Sequence, residues 1–252
     1  MAQTVRSGPA IYCVYQPIVT IDGQAVIGYE ALARAPGRDL RCMLQAMDPT
    51  EARAFDAGMV ARAVQGAFGL PEGVRLFVNV TVETLRAVLA GDPWPLPPRL
   101  SPGSPPVVWE IPEGRAGSAA LLQRGAAGVL DAVEVALDDL GEGDSDLRRL
   151  AAYPGAWAKL GLSLVRDCDR DRAKAAVIRA VVAMAAELGQ RVIAEGVERE
   201  GEAVALGAMG IRYAQGFHFG VPARWGADGA GLGDIAAAGV GWSQTSRWRP
   251  RG

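Results

Sequence analysis

A parallel α/β barrel is the fold this sequence predicts, and three features of it carry that expectation. Apolar runs of strand length alternate with amphipathic stretches of helix length along most of the chain, the order that a parallel sheet covered by helices requires. The chain has 252 residues, which suits one closed barrel of roughly 200–250 residues better than a half-size dinucleotide-binding unit. Five apolar strands finish on a carboxylate or an amide, and in a parallel barrel such strand ends converge on one face.

The elements follow in order. Residues 11–19 and 25–33 flank the turn pair Asp22-Gly23 and read as two strands. Asp48 followed by Pro49 gives an N-cap and a first-turn proline, opening a helix to about Gly69. Residues 74–80 form a strand and 82–90 a helix. Residues 91–106, rich in Pro, Gly and Ser, form an irregular connection inside one domain, since the strand–helix rhythm resumes beyond it. Residues 107–111 are a strand, 116–130 a helix, 133–137 a strand, 141–146 a polar loop and 156–160 a strand. A long helix spans 169–189, its apolar stripe placed on Val177, Ala180, Val181, Met184 and Leu188. Residues 192–194 are a strand, 200–209 a helix and 211–217 the last strand. Past Pro222 the chain turns Gly- and Ala-rich and reads as a loosely ordered tail with one more helix at most.

Composition excludes several functions. With 26 Lys plus Arg against 28 Asp plus Glu, the net charge is -2, so no broad basic face exists for a nucleic acid polymer. Cys13, Cys42 and Cys168 have neither disulfide nor zinc spacing and read as thiols of a reducing cytoplasm. The single histidine, His218, leaves no multi-histidine metal site. No secretory signal is visible and no apolar run reaches the roughly 18 residues of a membrane helix, so the expectation is a soluble, cytoplasmic protein. No G-x-G-x-x-G follows an early strand and no P-loop lysine motif occurs.

The polar strand ends are Glu30, Asn79, Glu110 with Glu113, Asp138 with Asp139, and Glu195 with Glu198. Lys159, one of only two lysines, sits near the end of its strand, and the last strand holds Gln215. Read singly, an Asp-Asp pair is a cap or a turn, and a strand-end Asn satisfies backbone. Together they would crowd several carboxylates into one cleft, where mutual repulsion calls for a cation. Oxygen donors without Cys or His suit Mg²⁺, Mn²⁺ or Ca²⁺, and the adjacent Asp138 and Asp139 suggest two ions close together, an arrangement that serves phosphoryl chemistry. Lys159 would orient or deprotonate a water, and Arg34 would bind a phosphate oxygen.

At these residues the chain resembles the EAL domain family, the phosphodiesterases of cyclic di-GMP. The fragments YQPIV, GYEALAR, FVNV, WEIPE, ALDDLGEG, AWAKL, VIAEGVE and QGFHFG occur in family order across residues 12–222. The resemblance implies a modified TIM barrel whose first strand is antiparallel to the others. It implies hydrolysis of cyclic di-GMP to linear pGpG with two Mg²⁺ or Mn²⁺ ions. Glu30, Asn79, Glu110 and Asp138 would ligate one ion, and Asp138 would bridge to a second, also held by Asp139. Lys159 would position the attacking water and Glu195 would support the cluster. Glu198 and Gln215 would orient groups around it, Arg34 would contact phosphate, and Glu113 would anchor the loop after Asp139.

The sequence also departs from the family pattern. DDLGEGDSD stands where DDFGTGYSS is usual, so Leu140, Glu142, Asp144 and Asp146 are all exchanged. Gly161 stands where the lysine motif usually continues with an acid. The stretch after Arg34 is short and lacks the family's Trp and P-x-x-F-I segment. The expectation is a cyclic di-GMP phosphodiesterase with a barrel over 11–223, an N-terminal extension over 1–10 and a C-terminal extension, part helical, over 224–252. The alternatives are a cyclic di-GMP sensor with little turnover, because of loop 140–146 and Gly161, and an interaction domain that has lost the ligand. The resemblance adds a homodimer as the expected state. The EAL-like region begins almost at residue 1, which leads to the expectation of regulation by a separate protein, by dimerisation or by the tail.

Overall fold

The computed structural model describes residues 11–93, 104–111, 134–142, 146–152 and 155–224. Eight strands close into a barrel in chain order: β1 Tyr12–Thr20, β2 Val26–Arg34, β3 Arg75–Asn79, β4 Val107–Ile111, β5 Glu134–Leu140, β6 Trp157–Leu160, β7 Arg191–Ala194 and β8 Tyr213–Ala214. β1 is antiparallel to both neighbours, β2 and β8, and every other pairing is parallel. The expected barrel with a reversed first strand is the one found. β1 turns into β2 through Asp22, whose carboxylate accepts from the Thr20 hydroxyl at 2.6 Å and the Gln24 N–H at 3.1 Å. Gly23 takes the positive φ of 70° at this turn.

The helices are α1 Leu40–Ala46, α2 Pro49–Gly66, α3 Val82–Leu89, α4 Asp146–Ala152, α5 Leu162–Val165, α6 Arg172–Glu187 and α7 Glu200–Ala208. α2 begins where expected. The Asp48 carboxylate accepts from the Thr50 and Glu51 N–H groups, and Glu51 accepts from the Asp48 N–H in return. On the inner face of α2, Asp56 accepts from the Thr81 N–H, the Thr81 hydroxyl and the Thr84 hydroxyl at 2.6–2.8 Å. These bonds fix the start of α3, directly after the end of β3.

Several expected details are corrected. α1 was not foreseen. It is capped by Asp39, which accepts from the Arg41 and Cys42 N–H groups, and it buries no residue. The expected helix from 169 begins at Arg172, because Asp171 supplies the cap, and the short α5 precedes it. Its buried stripe is Ile178, Val181 and Ala185, while Val177 and Leu188 lie about half exposed. Adjacent Val177 and Ile178 support two stripes of equal apolarity, and only the neighbouring elements select one. The last strand shrinks to two residues because the chain leaves the sheet at the bend through Gly216. Helix α4 was read as loop and connection. The expected helix over 116–130 and most of the 91–106 connection lie outside the described residues.

Strand alternation separates two apolar layers. One set of side chains, including Leu76, Val78, Trp109, Leu137 and Leu160, faces outward and packs under the helices with Val60, Leu85, Ile178 and Leu206. The other set, Ile18, Phe77, Val108, Ala136, Trp157 and Ile193, points into the barrel and fills it. Gly28 belongs to the same inner layer. A Cβ there would lie 2.7 Å from the Phe77 ring and 3.0 Å from the Arg75 carbonyl oxygen, so only glycine admits that ring.

Trp157 is the largest piece of this filling. Its ring meets Phe77 and Tyr213 edge-to-face at centroid distances of 5.7 and 5.4 Å. The Arg191 guanidinium lies 4.0 Å from the ring centroid, and the indole N–H donates to Glu134 at 2.9 Å. Glu134 also pairs with Arg75 at 2.9 Å. Polar residues at the starts of β3, β5 and β7 therefore close the barrel's lower end around one indole. Replacing Trp157 with Ala opens a cavity there and removes a bonded donor, and urea unfolding should show a loss of about 3–5 kcal/mol. A loss below about 1 kcal/mol would show that the barrel floor does not depend on it.

Candidate metal centre

A single step of two residues leads from this apolar floor to a polar ring. Inner positions recur every second residue along a strand. Two residues beyond Gly28, Phe77, Val108, Ala136, Trp157, Ile193 and Tyr213 stand Glu30, Asn79, Glu110, Asp138, Lys159, Glu195 and Gln215. β1 runs the other way, so its member lies two residues before Ile18, at Gln16. All eight strands thus contribute one polar side chain to the layer above the floor, at the end where the seven parallel strands finish.

Lys159 is at the centre, with none of its surface exposed. Its Nζ lies 2.6 Å from Glu110 Oε1, 2.6 Å from Glu195 Oε1, 3.0 Å from Asp138 Oδ1 and 3.4 Å from Glu30 Oε2. Amides join the carboxylates to one another. Asn79 Nδ2 donates to Glu30 at 2.9 Å and to Glu110 at 3.0 Å. Gln215 Nε2 donates to Glu30 at 2.6 Å and to Gln16 at 3.0 Å, and Gln16 Nε2 donates to the Gly220 carbonyl oxygen at 3.1 Å.

Asp139 joins this group against strand alternation. Consecutive residues of a regular strand point to opposite faces, so Asp138 and Asp139 should diverge. The β5–β6 register shifts between Leu137 and Leu140, and Asp139 has a φ of +57°. This bend brings ligand oxygens of Asp138, Asp139 and Glu195 within 4.8 Å of one another. A left-handed non-glycine residue costs of order 1–3 kcal/mol and persists only where its surroundings over-determine it.

The charges of the ring are unbalanced. Burial alone would strip the proton from Lys159, but Asp138, Glu110, Glu195 and Glu30 hold its pKa well above the usual lysine value, so it is an ammonium. An ammonium has no lone pair to take a proton, so in this state Lys159 is a donor and not a base. Burial and the charge of Glu30 push Glu110 well above the ordinary carboxylate range, and burial with Asp138 does the same to Glu195. Burial likewise works against ionised Glu30, but Lys159 and the amides of Gln215 and Asn79 outweigh it and lower its pKa. Burial and the charge of Asp138 push Asp139 up to about 6.

This donor set fits a hard divalent cation: carboxylate and amide oxygens, with no sulfur or imidazole. Glu110 Oε1 and Asp138 Oδ1 are buried and receive no hydrogen bond, only the pairing with Lys159, and Gln215 Oε1 is also buried without a donor. A divalent ion beside one ammonium would balance the carboxylates that otherwise retain protons.

Two expected site residues lie on the exposed rim. Arg34 is exposed at the end of β2, and its guanidinium donates to the Ala33 carbonyl oxygen at 2.9 Å. Glu198 is half exposed and pairs with Arg166 at 3.2 Å. Glu113 lies outside the described residues, as do residues 143–145 of the loop. Sequence reasoning missed Gln16, although a two-residue step back from Ile18 would have found it. It also missed Glu202, whose carboxylate accepts from the Asp167, Glu198 and Arg199 N–H groups and so orders the chain beyond Glu195. Asp167 and Asp169 group with Glu202, but Arg199 bonds all three at 2.8–2.9 Å, so each of these carboxylates already has a cationic partner.

The sequence profile described as EAL domain matches residues 2–222. The chain belongs to the EAL domain family. It is 30% identical over 233 residues to the cyclic di-GMP phosphodiesterase RocR of Pseudomonas aeruginosa, an alignment covering 82% of this chain and 56% of RocR. Over 89 residues it is 43% identical to the cyclic di-GMP phosphodiesterase PdeR of Escherichia coli, covering 35% of this chain and 14% of PdeR. The chain thus spans little more than half of RocR and a small part of PdeR. Klebsiella pneumoniae BlrP1, in a complex with manganese and cyclic di-GMP, superposes with a TM-score of 0.70 at 28% identity, covering 88% of this chain and 58% of that one. A standalone EAL protein of Vibrio cholerae O395 in its cyclic di-GMP-bound form gives 0.69 at 23% identity, covering 85% and 92%, a likeness of fold. Among the described residues, no helix is long and apolar enough to cross a membrane.

The ring predicts a pH dependence. In the metal-free fold Glu110 and Glu195 keep protons well above 4.5, and Asp139 up to about 6, whereas the unfolded chain releases them at ordinary carboxylate values. Their contribution to stability is therefore present at low pH and lost as pH rises through that window. Glu30 works in the opposite sense, its contribution being lost as pH falls below 4.5. With three groups against one, the melting temperature in EDTA should fall as pH rises from about 5 through about 6 and beyond, and Mn²⁺ should raise it more at the higher pH, because ligands must be ionised to bind. A metal-free melting temperature that climbs over this range would contradict the assignment.

Proposed function

We propose that this chain is a metal-dependent phosphodiesterase that hydrolyses cyclic di-GMP to linear pGpG. The observation that carries the reading is the ring of four carboxylates around buried Lys159, joined by Asp139 through the Asp138–Asp139 bend. Membership of the EAL domain family and similarity to RocR support it.

In this reading Glu30, Asn79, Glu110, Asp138 and Asp139 would hold two Mg²⁺ or Mn²⁺ ions. When bound, such ions acidify water and offset charge on the phosphoryl group. Lys159 keeps the carboxylates together and aligns the attacking water through its N–H groups. Glu195, in contact with Lys159, steadies that water, and Gln215 fixes the orientation of Glu30. Glu198 and Arg34 act from the exposed rim: Arg34 turns from its own backbone to a phosphate oxygen, and Glu198 orients groups beside the cluster. Glu113 anchors the loop beyond Asp139. Water oxygen adds to phosphorus, the bond to one ribose 3′ oxygen breaks, and that oxygen leaves with a proton as the 3′ hydroxyl of pGpG.

The reading extends to a barrel over 11–223 with extensions on either side, to a homodimer, to a cytoplasmic location and to regulation by a separate protein. A second reading, a cyclic di-GMP sensor with little turnover, draws on one observation: Gly161 brings no carboxylate to the end of β6.

Purified chain with Mn²⁺ or Mg²⁺ should convert cyclic di-GMP to pGpG, and Glu30→Ala should lose more than about 100-fold in rate, since even outer-shell changes at metal centres cost 10–100-fold. Binding without product, measured by calorimetry, would replace the enzyme by the sensor. Undetectable binding would remove both. Arg34→Ala should raise KM by roughly 10-fold with kcat nearly unchanged, as expected for a phosphate contact made equally in ground and transition states; an unchanged KM would take Arg34 out of the substrate site.

A further inference from the structure

We infer that Glu142 is a positioning residue of the metal centre, taking across the β5–β6 gap the helix-capping place that Gly161 leaves open. The inference rests on the reading of the ring as a metal centre. α5 follows β6 with Gly161 as its N-cap, and no side chain of its own serves that cap. Helix starts need an acceptor for the N–H groups two or three residues on, and Asp, Asn, Ser or Thr at the cap commonly supplies it. Here Glu142 supplies it from another strand end, its Oε1 accepting from the Ser163 N–H at 2.8 Å. The substitution is also spatial. A Cβ on Gly161 would lie 2.7 Å from Glu142 Oε1 and 2.8 Å from its Cγ. Gly161 has a φ of -66°, which any residue adopts, so nothing in its backbone demands glycine. Glu142 fills the volume that a side chain at 161 would use.

The contact belongs to a clamp on the strained turn. The Glu142 N–H donates to the Asp139 carbonyl oxygen at 3.2 Å, the Gly161 N–H to that of Leu140 at 2.8 Å, and the Ser163 hydroxyl to that of Gly141 at 3.0 Å. Asp139 holds its positive φ inside this set of bonds. Lys159 stands two residues before Gly161 on the same strand end. Glu142 thus ties the segment carrying Asp138 and Asp139 to the segment carrying Lys159, and without it the two ligand carboxylates lose part of their fixed geometry. The exchanges at 142 and 161, each a departure from the family pattern, are one compensated change.

A four-chain cycle tests this: the parent, Glu142→Ala, Gly161→Asp and the double variant, each read by thermal melting, Mn²⁺ calorimetry and turnover. Glu142→Ala should lower the melting temperature by roughly 2–4 °C, the effect of one lost cap in a chain of this size, and weaken Mn²⁺ binding by about 10-fold. Gly161→Asp in that background restores both, because an Asp at the cap reaches the same N–H. Gly161→Asp alone brings no gain, since Glu142 already fills the space. Glu142→Gln, which keeps the acceptor oxygen, should stay close to the parent. Additive losses in the double variant, or a Glu142→Ala chain with parental Mn²⁺ affinity, would overturn the inference. A parent that binds Mn²⁺ but leaves cyclic di-GMP intact defeats the proposed function alone, because the melting and Mn²⁺ readings still decide the role of Glu142.

Discussion

The structure turns on one buried ammonium. Lys159 has no exposed surface and stands among four carboxylates in the barrel's mouth. Taking these charges out of water costs several kcal/mol per ion, and one positive charge cannot balance four negative ones. The fold meets this in part through the amides of Asn79 and Gln215, and in part by keeping protons on Glu110 and Glu195. What remains is an acidic cavity with unsatisfied oxygens, whose natural complement is a hard cation. Stability and ligand demand are here the same electrostatic imbalance.

The barrel makes that imbalance affordable by separating it from the apolar filling by a single two-residue step. Trp157 and Phe77 close the floor, and Lys159 and Asn79 rise from the same strands directly above it. The reversal of β1 does not interrupt the layer, because an antiparallel strand presents the same inner face, read backwards, and so contributes Gln16 beside Gln215. Asp139 is the exception. It reaches the ring only through a register shift and a left-handed residue, and the bonds joining Gly141 and Glu142 to Ser163 hold that bend in place.

Much of this was legible in the sequence. Apolar runs of strand length marked β1 to β7, and the Asp48-Pro49 pair marked the start of α2, because these signals are local. Glu30, Asn79, Glu110, Asp138, Lys159, Glu195 and Gln215 stood out as polar groups on apolar strands, and the structure brings all seven into contact through Lys159, Asn79 and Gln215. The buried stripe of α6 was read correctly at Val181 but not at its ends, where Ile178 is buried and Val177 and Leu188 are exposed, since Val177 and Ile178 are equal candidates until the sheet beneath selects a face. Arg34 and Glu198, expected to contact phosphate and to orient groups around the cluster, lie exposed and bond to Ala33 and to Arg166, as exposed side chains take whichever partner is near.

The sequence by itself determined the strand–helix alternation, most of the strands and the chemical character of the ring, because periodicity and residue type act over a few neighbours. Tertiary structure decided which carboxylates meet at Lys159, that Gln16 joins the ring through Gln215, and that Glu142 occupies the space of a side chain Gly161 lacks. These last relations join residues on different strands, up to 199 positions apart for Gln16 and Gln215. Only closure of the barrel brings such groups within hydrogen-bonding distance.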